Sequence, residues 1–154
     1  MAGVTIEPFQ PGLAPVFERL NREWIEQLFV LEPADLKVLR EPERMILANG
    51  GQIFFARLDG EIVGTAAALP HGPGRLELAK MAVSPAFQGR GIGALLGEAV
   101  IGFARSVGAD SLFLLTSSRL PGAIRLYERL GFQHRPLPPE TGYVRADVYM
   151  ERPL

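Results

Sequence analysis

Six residues, Gln88-Gly89-Arg90-Gly91-Ile92-Gly93, stand between an apolar strand-like run and an apolar-periodic helix, and their types suit the holding of an anion. Glycines at such a junction let successive backbone N–H groups converge without obstruction by Cβ. The helix start adds unpaired donors and the positive end of its dipole. A diphosphate matches that chemistry. Glycines that merely allow tight strand-to-helix packing would give the same GxG spacing, so the neighbourhood has to decide. Arg90 adds a cation that either a phosphate or solvent would satisfy.

Two nucleotide-binding patterns fail here. A P-loop needs GxxxxGK[ST], and no lysine followed by serine or threonine occurs in the chain. Gly89, Gly91 and Ala94 meet a degenerate Rossmann GxGxxA, but Ser84-Pro85-Ala86-Phe87-Gln88 separates them from the strand that the first glycine should follow directly. Asp110 precedes the next strand rather than ending it, the wrong place to reach a ribose.

The elements that must position this loop can be read from periodicity. Val4 to Pro8 forms a short strand. Apolar residues at Phe17, Leu20, Trp24, Ile25 and Leu28 give an amphipathic helix from Leu13 to Phe29. One or two shorter helices follow over Ala34 to Leu47, around Pro42. Gln52 to Leu58 and Glu61 to Leu69 flank Asp59-Gly60, a strong two-residue hairpin signal. Leu76 to Val83 is a further strand, stopped by Pro85. After the glycine loop, Ile92, Leu95, Leu96, Ala99, Val100 and Phe103 line one face of a helix ending near Gly108. Ser111 to Thr116 is a buried strand, Pro121 to Leu130 a last helix closed by Gly131, and Arg145 to Glu151 a closing strand after a proline-rich turn.

Composition narrows the function. A chain of 154 residues, 47% hydrophobic and 21% charged, fits a single domain over 1–154 with a core that needs no disulfide or structural metal. The net charge of -1 provides no global positive field for nucleic acid. The absence of cysteine excludes thiolate metal sites and a cysteinyl intermediate, and no metal-ligand set stands out. The longest uncharged run, Ile62 to Gly74, is broken by Pro70 and Pro73, so no membrane span and no signal peptide are expected and a cytoplasmic location is the default. Nothing in the sequence speaks against a homodimer.

Two motifs carry a family resemblance. MAVSPAFQGRGIGALL resembles motif A of the GNAT superfamily, the Gcn5-related N-acetyltransferases, whose pattern [QR]xxGx[GA] is met by Gln88, Gly91 and Gly93. AIRLYERLGF, Ala123 to Phe132, is similar to motif B, and the order of elements agrees over the whole chain. The resemblance implies an α/β (α+β) fold: a mixed, mostly antiparallel sheet of about six to seven strands, splayed between the fourth and fifth, with about four flanking helices. It implies acetyl-CoA as co-substrate. The pantetheine arm would pair with Met81, Ala82 and Val83 like an added strand, and the amides of Gln88, Gly89, Arg90, Gly91, Ile92, Gly93 and Ala94 would face the pyrophosphate.

The activity implied is an acetyltransferase moving acetyl directly to the primary amine of a small molecule. Without cysteine, a protein thioester is impossible. Such an amine, with pKa roughly 10, must lose a proton. Glu77 is the leading base candidate, expected to share a strand face with Ala79, Met81 and Val83 by period two, unless Arg75 or Lys80 simply pairs with it. His71 and a water chain are alternatives. Tyr127 falls at motif B's tyrosine, which in many relatives returns a proton to the CoA sulfur. A backbone N–H near Ala82 or Val83 would hold the oxyanion.

Where many relatives carry asparagine after the fifth strand, this chain has Ser117-Ser118, either of which could substitute, and Ser117 is taken as a contact of the arm. Arg125 and Arg129 are candidates for the 3′-phosphate. Trp24, Phe29 and Tyr143 are possible acceptor walls, and Glu26, Glu32 and Asp35 possible attractors of an amine. A catalytically silent acyl-CoA sensor would share the glycine loop. Gly91→Asp should abolish acetyl-CoA binding through like-charge repulsion and a blocked helix terminus. Micromolar affinity retained in calorimetry would remove the diphosphate cradle.

Overall fold

The computed structural model describes residues 3–139 and 144–154. Strand β1 (Val4–Pro8) is followed by helices α1 (Ala14–Leu28), α2 (Pro33–Arg40) and α3 (Pro42–Met45). Three strands come next: β2 (Gln52–Leu58), β3 (Glu61–Pro70) and β4 (Arg75–Val83). Then follow α4 (Ile92–Ser106), β5 (Ser111–Thr116), α5 (Pro121–Arg129), β6 (Gln133–Arg135) and β7 (Val148–Pro153). The strands form one seven-stranded sheet in the order β1-β2-β3-β4-β5-β7-β6, with β4 and β5 parallel and every other pair antiparallel.

Asp59 and Gly60, with φ of 51° and 81°, form the positive-φ turn that the Asp-Gly pair demands. Two apolar layers sandwich the sheet. On one face Leu76 and Leu78 of β4 pack with Ile92, Leu96 and Val100 of α4, and α5 joins through Leu126 and Leu130. On the other, Phe17 and Leu20 of α1 and Val38 and Leu39 of α2 pack on Ile53, Phe55 and Ala82. Gly97 of α4 packs against the residue that caps α5, where a Cβ would lie 2.5 Å from Leu130 Cδ1.

The parallel pair is the departure from regularity that creates a site. Only Arg75, Leu76 and Glu77 pair with Ser111, Leu112 and Phe113, and beyond them the strands part. From Leu78 to Val83 the edge of β4 that faces β5 has no strand partner.

A bulge lies on the same stretch. Thr65 opposes Ala82 while Ala67 opposes Ala79, so Lys80 and Met81 share the place of one residue, and Lys80 takes a left-handed φ of 53°. The extra residue inverts the alternation. Met81 and Val83 pack with the α4 layer, whereas Ala82 belongs to the α1 layer. Glu77 therefore does not share a face with Met81 and Val83, as strict period two predicts.

Several elements depart from the periodicity, most by one or two residues at an end. β6, only three exposed residues, carries no apolar signal and is absent from the sequence reading of the elements. The closing strand starts at Val148 rather than Arg145, because Arg145 turns inward to a buried carboxylate. The last helix ends at Arg129.

Candidate active site

A cavity of about 650 Å³ fills the gap where β4 and β5 part. One end is bounded by the β4 edge from Leu78 to Val83 and by the glycine loop, the other by Trp24 and Leu28 of α1 and by Arg119 and Arg145. Its size falls in the range of small-ligand sites.

The glycine loop divides its labour. Gly89 and Gly91 have φ of 79° and 80°, and a Cβ on either would meet nothing within 4 Å, so backbone conformation and open space both favour glycine. Gly91 caps α4, whose first intrahelical bond runs from Leu95 N–H to the Gly91 carbonyl at 3.2 Å. The amides of Ile92, Gly93 and Ala94 thus have no helical acceptor. A cradle of free donors at an open helix start fits a diphosphate.

Gly93 has a further reason to be small. A Cβ there would lie 3.0 Å from Leu126 Cδ2 of α5. The Ile92 side chain is buried in the core and leaves only its amide for a ligand. Gln88 donates through Nε2 to the Val83 carbonyl at 3.1 Å, stapling the loop to the strand end. Arg90 is not on the cavity wall, and its guanidinium lies 5.2 Å from the Phe87 ring centroid. Arg129 borders the cavity and Arg125 does not.

Glu77 and His71, alternatives in the sequence, form one unit. His71 Nε2 lies 2.7 Å from Glu77 Oε1. The Glu77 side chain is 11% exposed and borders the cavity, while that of His71 is 41% exposed. The pair therefore runs from the cavity to solvent. Neither Arg75 nor Lys80 pairs with Glu77. Arg75 stacks 3.9 Å from the Phe113 centroid and donates to the Tyr149 hydroxyl at 2.6 Å, and that hydroxyl donates to Glu151. The His71 ring meets the same Phe113 edge-on.

Tyr127 stands on the cavity wall with its ring edge-on to Phe132. Its hydroxyl has no hydrogen-bond partner among the described residues, and burial pushes its pKa up to about 12. The phenol is neutral at any physiological pH. Of the two serines, Ser117 borders the cavity, its Oγ accepting from the Arg119 amide at 3.2 Å. Ser118 is turned away and donates to Asp147 Oδ2 at 2.6 Å.

Asp35 and Glu32 do not attract an amine into the cavity. Asp35 has no exposed surface. Its Oδ1 accepts from Lys80 at 2.8 Å and from Arg145 at 2.6 Å, and its Oδ2 from Arg145 at 2.8 Å and from the Glu32 amide at 2.9 Å. Glu32 also engages Arg145, at 3.2 Å, and Glu26 faces Arg22. Sequence inspection missed this network. Its members lie in three separate elements, and only the left-handed Lys80 and the inward Arg145 bring them together. Tyr143 lies outside the described residues.

Comparison with known proteins gives the class. The model of the acetyltransferase (GNAT) family matches residues 13–132, and the chain belongs to that family. It is 38% identical over 126 residues to the N-acetylaspartate synthetase of Homo sapiens, covering 80% of this chain and 40% of that protein. It is 37% identical over 90 residues to N-acetyltransferase 8 of Rattus norvegicus, covering 55% of this chain and 40% of that protein. The chain thus spans about two fifths of the length of these curated relatives.

Solved structures agree on the fold. A GNAT-family acetyltransferase from Staphylococcus aureus superposes with a TM-score of 0.88 at 20% identity over 97% of this chain and 98% of that one. A phosphinothricin acetyltransferase from Sinorhizobium meliloti, solved in complex with AcCoA, gives 0.79 at 20% identity over 99% and 89%. Among the described residues no helix is long and apolar enough to cross a membrane.

The charge network generates a prediction. Burial alone would raise the pKa of Asp35, but hydrogen bonds from Arg145 and Lys80 outweigh it and hold the carboxyl at about 2, below the usual 3.8. A carboxylate depressed in the folded state stabilises fully above its unfolded pKa, and that contribution disappears as pH falls through the folded value. Stability should therefore drop between about pH 4 and pH 2. Asp35→Asn, leaving Lys80 and Arg145 without their shared anion, should cost roughly 3 kcal/mol at pH 7 in urea unfolding. A change below about 0.5 kcal/mol would contradict the assigned role.

Proposed function

We propose that the chain is an acetyl-CoA-dependent N-acetyltransferase that moves an acetyl group directly to the primary amine of a small molecule. The observation that carries this reading is the cavity itself. An unpaired strand edge leads into a glycine-lined helix start at one end, and a carboxylate backed by a solvent-facing histidine borders the same space. Family membership and relatives named as N-acetyltransferases support it.

Acetyl-CoA supplies an activated thioester. Backbone groups of Met81, Ala82 and Val83 line the gap and would pair with its pantetheine arm, with the Ser117 hydroxyl beside them. The amides from Gln88 to Ala94 would hold the pyrophosphate, Gly89 and Gly91 by conformation and Ile92 to Ala94 as free helix donors. Glu77 accepts the proton of the incoming ammonium on the oxygen not bound to His71. Glu77 returns that proton to solvent after turnover, while His71 holds the carboxylate by its other oxygen, so that Glu77 is ready for the next amine. The lone pair freed on nitrogen attacks the thioester carbonyl. A β4 amide near Ala82 or Val83 stabilises the oxyanion until the C–S bond breaks, and the second proton of the attacking nitrogen passes to the departing thiolate to give the free thiol of CoA.

Tyr127 faces the leaving sulfur. With a pKa of about 12, against roughly 8.5 for a thiol, it keeps its proton and stabilises the developing thiolate by hydrogen bonding rather than by full ionisation.

A panel of amines screened for free CoA release tests the reading. Acetyl-CoA bound without turnover of any amine would favour a coenzyme-sensing module instead. Tyr127→Phe should lower kcat about ten- to hundredfold with little change in the Kd of acetyl-CoA, and unchanged turnover would remove the role at sulfur. Glu77→Gln should cut kcat/KM about a hundredfold or more. His71→Gln should lower kcat/KM measurably but less than Glu77→Gln, and an unchanged kcat/KM would reduce His71 to a packing residue.

A further inference from the structure

At the end of the cavity near Phe29, two hydrogen-bonding groups, the Arg119 guanidinium and the Trp24 indole N–H, have no carboxylate or acceptor partner among the described residues. Arg119 follows β5, borders both the cavity and a shallow recess outside it, and places its guanidinium 4.7 Å from the Phe29 ring centroid. Among the described residues no carboxylate lies within ion-pair distance of Arg119. The acids nearby are engaged elsewhere: Asp35 with Lys80 and Arg145, and Glu32 with Arg145. Stacking on Phe29 fixes the plane of the Arg119 guanidinium and leaves its N–H edge available.

Trp24 supplies an independent sign. Its indole ring is edge-on to the same Phe29 at 6.1 Å, and its buried Nε1–H has no acceptor among the described residues. An orphaned buried donor on a cavity wall is uncommon. Donors around Phe29 without acceptors among the described residues call for a ligand that brings oxygen acceptors and negative charge. The coenzyme's phosphates belong to the other end, since the outer recess that Arg119 borders contains no residue of the glycine loop.

We infer that Arg119 anchors a carboxylate on the acyl acceptor, so that the substrates of this site are carboxylate-bearing amines, small amino acids foremost. This rests on the acetyltransferase reading. Arg119 holds the carboxylate by charge-assisted, two-pronged hydrogen bonds, Trp24, Leu28 and Leu69 provide apolar surface for the remainder, and the amine is left to Glu77.

Matched acceptors test this: L-phenylalanine and L-aspartate, phenylalanine methyl ester, aspartate α-methyl ester, and phenethylamine, each with wild type, Arg119→Gln and Arg119→Lys. Wild type should favour the free acids by about tenfold or more in kcat/KM, compared at equal free-amine concentration. Arg119→Gln should raise their KM about ten- to hundredfold and bring the acid-to-ester ratio near unity, and Arg119→Lys should restore part of it. The exposed position of Arg119 makes an unchanged Tm the expected control.

Esters and phenethylamine turned over as well as the acids would overturn the proposal while leaving the acetyltransferase reading intact. So would an Arg119→Gln effect confined to the KM of acetyl-CoA. Should no amine be acetylated, the acetyltransferase reading fails, and calorimetry of L-phenylalanine and L-aspartate against the CoA-loaded protein decides the rest. Binding lost in Arg119→Gln supports the anchor, and absent or Arg119-independent binding removes it.

Discussion

The Asp35 carboxylate is the interaction on which the geometry of this protein depends. Backbone pairing between β4 and β5 stops at Glu77 and Phe113, so no ladder controls how far the two halves of the sheet open beyond that point. Asp35 crosses the opening instead. Lys80 reaches it from β4 and Arg145 from the segment that leads into β7, whose neighbour is β5. One buried anion on α2 therefore clasps both arms of the gap. A dry ion cluster of this kind contributes little net stability over an apolar replacement, and its value is positional. An apolar core slides more readily than a carboxylate with four directed hydrogen bonds.

The bulge at Lys80 makes that clasp possible and sets the chemistry around it. An unbroken strand would put Glu77, Ala79 and Met81 on one face. The extra residue sends Met81 to the α4 layer and Lys80 down to Asp35, leaving Glu77 on the α1 side with His71. Bulges of this sort re-aim side chains next to active sites, and the left-handed φ of a lysine here is held by its buried ion pair. The same element thereby separates two features: backbone at the gap edge from Leu78 to Val83 is left without a strand partner among the described residues, and the Glu77 and His71 side chains meet on the α1 side.

Much of this was legible in the sequence. The Asp59-Gly60 hairpin, the apolar face of α4 and the run from Ser111 to Thr116 follow from local rules of turn chemistry and periodicity, and the two motifs placed the loop and Tyr127 correctly on the cavity. What failed was whatever needed tertiary information. Period two cannot foresee a bulge, so it groups Glu77 with Met81 and Val83, which lie on the other face. Isolated charges give no sign of burial, so Asp35 reads as a possible attractor of an amine and Arg145 as the first residue of the closing strand. β6 is three polar residues long and exists only because β7 offers an edge. Ser117 and Ser118 are equivalent by type, and Asp147, far along the chain, separates them.

Trp24 gives the cavity an optical consequence. It is the only tryptophan in 154 residues, and it stands on the cavity wall beside Phe29. Indole emission responds to polarity and to nearby charge, so the whole tryptophan fluorescence of the protein originates from one ring on the cavity wall. Occupancy of that part of the cavity is thus written into the tryptophan band of the intrinsic spectrum, without a label and without a second tryptophan to subtract.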